Sequence, residues 1–192
     1  PTEGTILVNN FNTATEGDKV RESIAFLTNE INLDPHFTTD YLFRFFGRIH
    51  SMTEAQIDAR RDELFTTFDI HGFSGKKIEE LSTGMKQRAA IAVTLVHDPK
   101  VVIFDEPTSG LDIITARTVT DYLKSLREMG KTVIVSTHVM SEAEKLCDRT
   151  GIIIGGKKVA EGTLEEIYAQ TSTTDLEDAF FELYKLHGEE NR

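Results

Sequence analysis

The sequence predicts an α/β fold: a parallel β-sheet core, an inserted α-helical lobe, and a small antiparallel β piece. Three observations predict it. Val101-Val102-Ile103-Phe104 and Thr132-Val133-Ile134-Val135-Ser136 are solid runs rather than alternating ones, as strands covered on both faces read. Each is followed by a helical stretch, at about 113–129 and 140–147, which is the rhythm of a parallel sheet. From about residue 35 to 98 the pattern is that of an inserted helical lobe.

Taken in order, Thr5-Ile6-Leu7-Val8 is a short β-branched strand and Asn9-Asn10 a turn signal. Ser23-Ile24-Ala25-Phe26-Leu27 is a second strand, so residues 5–27 predict an antiparallel pair with a polar connection. Tyr41, Leu42, Phe45, Phe46 and Ile49 share one face of a helix starting after Thr38 or Thr39. A second helix, roughly 53–68, carries Ile57, Leu64, Phe65 and Phe68. Gly72 and Gly75 punctuate a loop, and a third helix runs from about Thr83 to His97. Gly151 to Val159 reads as a hairpin turning at Gly155-Gly156. Helices at about 163–170 and 175–187 follow, the latter with Leu176, Phe180, Leu183 and Tyr184. The expected divisions are residues 1–34, strands of the core with a linking segment; 35–98, the helical lobe; 99–162, the parallel core; and 163–192, the C-terminal helices.

Composition excludes several classes of function. The 192 residues carry 21 Lys+Arg against 32 Asp+Glu, a formal charge of −11, which argues against affinity gained by neutralising nucleic-acid phosphates. It leaves room for a nucleotide, which backbone amides and one divalent ion can hold. The single cysteine, Cys147, excludes an intrachain disulfide framework and suits a reducing compartment. No apolar run approaches the ~18 residues of a membrane span.

The strand Val101–Phe104 ends in Asp105-Glu106-Pro107. Two carboxylates there stand at the carboxyl edge of a parallel sheet, where open α/β folds bind ligands. The first suits a Mg²⁺ ion held against phosphates, the second an attacking water. The plain alternative is a strand ending at the surface. Ser109-Gly110-Leu111-Asp112 follows at once, Ser136-Thr137-His138 ends the next strand, and Leu81-Ser82-Thr83-Gly84-Met85-Lys86-Gln87-Arg88 opens the helix before the first. Ser82 to Gly84 at a helix N-terminus offer a hydroxyl, free amides and the positive dipole end, all favourable to phosphate; an N-cap without ligand is the simpler reading.

These four segments, in this order across residues 81–138, resemble the ATP-binding subunits of ABC transporters: signature helix, Walker B strand, D-loop and switch histidine. The resemblance implies a three-layer core like that of the P-loop NTPases, with ATP and Mg²⁺ as ligands. It implies that Asp105 is the magnesium-side carboxylate, Glu106 the catalytic one, and His138 the residue that bonds the γ-phosphate. Ser82, Thr83 and Gly84 would contact ATP on an opposite subunit in a head-to-tail dimer, and Asp112 would belong to the turn crossing that interface. Thr83 and Met85 stand where Gly and Gln are usual, a form similar to the ATPases of small export systems, including sodium and drug efflux. A Gln usually follows the strand resembling Ile24–Leu27; Thr28-Asn29-Glu30 stands there, leaving Asn29 or Glu30 as the oxygen ligand for magnesium or water.

The implied partners are a second ATPase subunit and a transmembrane permease, placing the protein on the cytoplasmic face of a membrane. The aromatic residues Tyr41, Phe43, Phe45 and Phe46 lie in the lobe that docks on the permease in that family; most of that face reads as core, with Phe43 or a neighbour as the candidate docking residue. A phosphate loop of the form G-x-x-x-x-G-K-[ST] is expected as well, yet no stretch supplies it. Gly151-Ile152-Ile153-Ile154-Gly155-Gly156-Lys157-Lys158 fits the spacing through the lysine but ends in Lys and reads as strand and hairpin. In the family the loop precedes the segment resembling Pro1–Val8. The expectation is therefore a chain cut after that loop, and inactive by itself. A soluble, non-transport ABC ATPase and a non-catalytic regulatory module of the same fold are the alternatives.

Overall fold

The computed structural model describes residues 2–28 and 33–187 and contains two compact units, divided between Ser136 and Thr137. The first is built on a three-stranded parallel sheet. β3 (Ile24–Leu27) pairs with β4 (Val101–Asp105), which pairs with β5 (Thr132–Ser136). Ahead of it, β1 (Leu7–Val8) and β2 (Phe11–Asn12) form a minimal hairpin. Its two turn residues, Asn9 and Asn10, both take positive φ, 50° and 66°, as the tight hairpin turn requires and as asparagine tolerates.

This corrects the expected pairing of residues 5–27. The strand at 24–27 does not fold back on the first; α1 (Gly17–Ser23) intervenes, and β3 runs parallel to β4, Ile24 opposite Val101 and Leu27 opposite Phe104. The reason is burial. Ala25 and Leu27 are 2% and 6% exposed, a demand the two-residue strand Leu7–Val8 is too short and too exposed to meet.

The long connection between β3 and β4 holds the helical lobe. α2 (Thr39–Ile49) starts at Thr38, whose hydroxyl accepts from the Tyr41 amide at 3.1 Å. α3 (Glu54–Thr67) starts at a capping box. The Gln56 amide donates to the Thr53 hydroxyl, and the Thr53 amide to the Gln56 side chain, so two orphan helix donors are satisfied. Phe43 and Phe65 meet edge to face at 5.2 Å, both fully buried. Phe43 is therefore core, as expected for most of that aromatic face, and is not the docking residue. Helical spacing puts Tyr41 and Phe45 on one side, where they stack with Phe37, and turns Phe43 inward. α4 (Thr83–Thr94) leads back to the sheet with Ala89, Ile91, Ala92 and Val93 buried, and α5 (Ile113–Glu128) connects β4 to β5.

The second unit comprises α6 (Met140–Leu146), an antiparallel hairpin of β6 (Thr150–Ile154) and β7 (Lys157–Gly162), α7 (Leu164–Thr171) and α8 (Leu176–His187). Ile152, Ile154, Ala160, Ile167, Leu176, Ala179 and Leu183 form its core. Glu144 ties α6 to the last two helices, accepting from the Tyr168 hydroxyl and the Leu176 amide, each at 2.8 Å. Gly151 to Lys158 is strand, turn and strand, with Gly155 and Gly156 at positive φ, so this string opens no helix and wraps no phosphate. Among the described residues no helix is long and apolar enough to cross a membrane.

Candidate functional site

The carboxyl edge of the parallel sheet gathers the sequence-predicted residues of the first unit. β4 and β5 end in register, Asp105 opposite Ser136. The Ser136 hydroxyl donates to Asp105 Oδ1, and the Ser136 carbonyl accepts the Glu106 amide at 2.9 Å. One residue of β5 thus holds the side chain of the first carboxylate and the backbone of the second. Both carboxylates are half-buried, placed on the rim rather than in the core.

Glu106 has φ of 49°, the left-handed region, and precedes Pro107. Non-glycine residues rarely occupy that region, and a following proline pushes its predecessor toward extended backbone. The chain reverses at once, the Ser109 amide donating to the Glu106 carbonyl at 3.1 Å and the Leu111 amide to the Thr108 carbonyl at 3.2 Å. These two turns carry the chain from the strand to the start of α5.

Asp112 caps α5. Its Oδ1 accepts from the Ile114 and Thr115 amides, each at 3.0 Å, and its Oδ2 from the Thr115 hydroxyl at 2.7 Å. The Thr115 hydroxyl, then the backbone amides, hold its carboxyl below the usual carboxylate range. The capping role is thus present in the chain itself. Beside it Ile113 and Ile114 are 89% and 80% exposed, apolar groups turned to the outside next to the turn.

Ser82 caps α4, its hydroxyl accepting from the Met85 amide at 3.3 Å. Ser82 and Thr83 are exposed and Gly84 half-buried. A Cβ built on Gly84 would lie 3.8 Å from Leu111, and one on Gly110 3.8 Å from Thr83, so the first turn of α4 lies against the 108–112 turn. A further side chain joins them. Gln87, 3% exposed, donates through Nε2 to the Pro107 carbonyl at 3.2 Å. Sequence reasoning passed over Gln87 although it stands inside the signature segment. The available signal was an uncharged polar residue on the helix face that also carries the buried Ile91.

His138 belongs to the second unit, where it is exposed, two residues beyond the end of β5. Next to it the Thr137 hydroxyl accepts from the Val139 amide at 3.0 Å, shaping the entry to α6. Asn29 and Glu30 lie outside the described residues. The donor set suits magnesium. Oδ1 of Asp105 is engaged by Ser136 while its second oxygen is available, and magnesium takes one or two carboxylates and completes its octahedron with water and phosphate oxygens.

A family model described as ABC transporter matches residues 1–109. The ABC transporter ATP-binding protein NatA of Bacillus subtilis is 33% identical over 181 residues, covering 94% of this chain and 74% of the relative. A probable multidrug ABC transporter ATP-binding protein, YbhF of Escherichia coli, is 32% identical over 188 residues, or 95% of this chain and 32% of its own. The Nod factor export ATP-binding protein I of Paraburkholderia xenovorans is 40% identical over 149 residues, 78% of this chain and 49% of its own. The chain thus spans about a third and about half of the last two. The solved structure of an ATP-binding subunit of an ABC transporter superposes with a TM-score of 0.90 at 26% identity, covering 95% of this chain and 77% of that one. A dimeric, post-hydrolysis ATP-binding cassette, MJ0796, bound to ADP and Pi, superposes with a TM-score of 0.75 at 28% identity, covering 85% and 75%. The chain belongs to the ABC transporter ATP-binding family.

Proposed function

We propose that this chain supplies the ATP-hydrolysing, energy-coupling part of an ABC transporter that exports its substrate, with Glu106 as the general base. The observation that carries the reading is the seat of Glu106. It lies at the end of β4 in a strained backbone conformation, held from β5 by Ser136 and closed into a turn by Ser109. Such geometry marks sites where position matters more than local stability. Export is supported by the relatives named for multidrug and Nod factor export.

In this reading Asp105 holds magnesium through its free oxygen, and the ion, when bound, neutralises phosphate charge. Glu106 takes the proton of the attacking water, which needs its carboxylate at hydrogen-bond reach and ionised. His138 hydrogen-bonds the γ-phosphate. Ser82, Thr83 and Gly84 present the N-terminus of α4 to a nucleotide on a second subunit, and Asp112, with Ile113 and Ile114, faces that subunit. The dimeric state of MJ0796 and the outward apolar pair support that partner. The Phe37, Tyr41 and Phe45 stack, with Leu33, Asp34, Leu42 and Phe46, lines a cleft of about 280 Å³ that suits an apolar segment of a permease at the cytoplasmic face of the membrane. No part of residues 1–192 matches the phosphate-wrapping loop, so this polypeptide alone is proposed to lack turnover.

Size-exclusion chromatography with MgATP tests the assignment in the native subunit as the cell makes it. Glu106→Gln is expected to accumulate an ATP-bound dimer, and Gly84→Asp, which sets a carboxylate against the phosphate, to abolish it. A dimer that forms equally in both variants would contradict the roles given to both segments.

A further inference from the structure

Backbone bonds with Ser136 and Ser109 hold the unusual conformation of Glu106. Those fix its amide and its carbonyl. Neither fixes the next peptide, between Pro107 and Thr108, at the centre of the Glu106–Ser109 turn. Proline in the second position of a turn suits both common turn types, which differ by a flip of that central peptide. The group that reverses direction in the flip is the Pro107 carbonyl. It is the carbonyl that accepts from the buried amide of Gln87 at 3.2 Å. Thr108 keeps a negative φ, which favours the same turn.

We propose that Gln87 is a positioning residue for Glu106, and that it links the signature helix to the hydrolytic carboxylate of the same chain. The inference rests on the ATPase reading above. Ser82 to Gly84 form the first turn of α4 and Gln87 lies in the next, so a displacement of the helix on meeting nucleotide carries the amide with it. In a head-to-tail dimer those first-turn residues serve one nucleotide and Glu106 the other. The Gln87 bond, with the contacts of Thr83 to Gly110 and Gly84 to Leu111, joins the two sites through a single chain. A neutral carboxamide suits the task. It supplies a donor at the tip of a two-methylene reach without burying a charge, whereas an apolar side chain of equal length leaves the Pro107 carbonyl unsatisfied.

The test is a kinetic double-mutant cycle on the native subunit as the cell makes it: wild type, Gln87→Met, Glu106→Gln and the pair, by single-turnover and steady-state ATP hydrolysis. Gln87→Met is expected to lower kcat roughly tenfold or more with KM for ATP unchanged and melting within a few degrees of wild type. On top of Glu106→Gln it is expected to cost nothing further, because it acts only through that carboxylate. Unchanged kcat, a loss that appears in KM or follows the melting temperature, or a full second loss in the pair would each overturn the proposal. Should Gln87→Met fail to fold, Gln87→Asn, which keeps a neutral carboxamide but falls one methylene short of the Pro107 carbonyl, enters the same cycle. A Glu106→Gln variant with wild-type turnover would sink the ATPase reading and this inference together. A disabled Glu106→Gln beside a normal Gln87→Met would sink the inference alone.

Discussion

The hydroxyl of Ser136 donates to Asp105 across adjacent parallel strands, at the point where β4 and β5 end in register. The same residue's carbonyl receives the Glu106 amide. One serine thus holds the carboxylate of Asp105 and the backbone of Glu106, residues of different proposed roles, and a substitution can separate the two bonds.

Ser136→Ala removes the hydroxyl and spares the backbone bond. With Asp105 less firmly oriented, the magnesium concentration for half-maximal ATP hydrolysis is expected to rise roughly tenfold, within the range seen when a partner of a metal ligand is lost. At saturating magnesium kcat should stay near wild type, because Glu106 keeps its seat. A magnesium titration reads both quantities, and an unchanged midpoint would detach Asp105 from the ion.

Gly47 of α2 lies against Ile57 of α3. A Cβ there would stand 2.7 Å from Cγ1 and 2.9 Å from Cδ1 of Ile57, a fully buried and branched side chain, with Val96 at 3.4 Å. Gly→Ala inside a helix normally gains about 0.8–1 kcal/mol. Overpacking a tight core costs about 1–3 kcal/mol, and Ile57 is fully buried. Gly47→Ala is therefore expected to destabilise the protein by about 1 kcal/mol in urea unfolding. A stabilised variant would mean the helices separate easily.

Much of this architecture is legible in the sequence because solid apolar runs mark strands: Val101–Phe104 and Thr132–Ser136 are both strands, although β5 lacks the covering on both faces that such a run predicts, with Ile134 51% exposed. Helix starts were legible where a cap is chemically explicit, as at Thr53, Ser82, Asp112 and Thr163. The short α1 was not, since its seven residues bury only Val20 and Ser23, too few to establish a period. The partner of Ile24–Leu27 is not legible because it lies beyond the whole helical lobe, and local alternation says nothing about distant pairing. The motif residues Asp105, Glu106 and Asp112 could be named from spacing. The left-handed backbone of Glu106 and the bond from Gln87 could not, since both depend on which turn packs against which helix.

The acid stability of the first unit depends on His97. Its ring stacks on His50 at 3.8 Å and its Nε2 bonds the Ile24 carbonyl at 3.0 Å, fastening the end of the lobe to β3. Burial, with the neighbouring His50 ring adding to it, pushes the imidazole down from 6.5 to about 4, against smaller opposing effects from Ile24 and Asp98. Burial lowers His50 as well. Between those pH values the unfolded chain binds more protons than the folded one, so stability is full above about 6.5 and falls as pH drops toward 4. The melting temperature is expected to be lower at pH 5 than at pH 7, and His97→Gln to shrink the difference. A difference unaffected by the substitution would move its origin elsewhere.

The assignment of Glu106 as the general base is tested most directly by the rate of a single turnover of MgATP in the native subunit, wild type against Glu106→Gln. Loss of a positioned base costs roughly 10²–10⁴ in rate. The account predicts a fall in that range with ATP affinity retained, because Glu106→Gln preserves the turn and removes only the proton acceptor. A variant that hydrolyses ATP at the wild-type rate would contradict it.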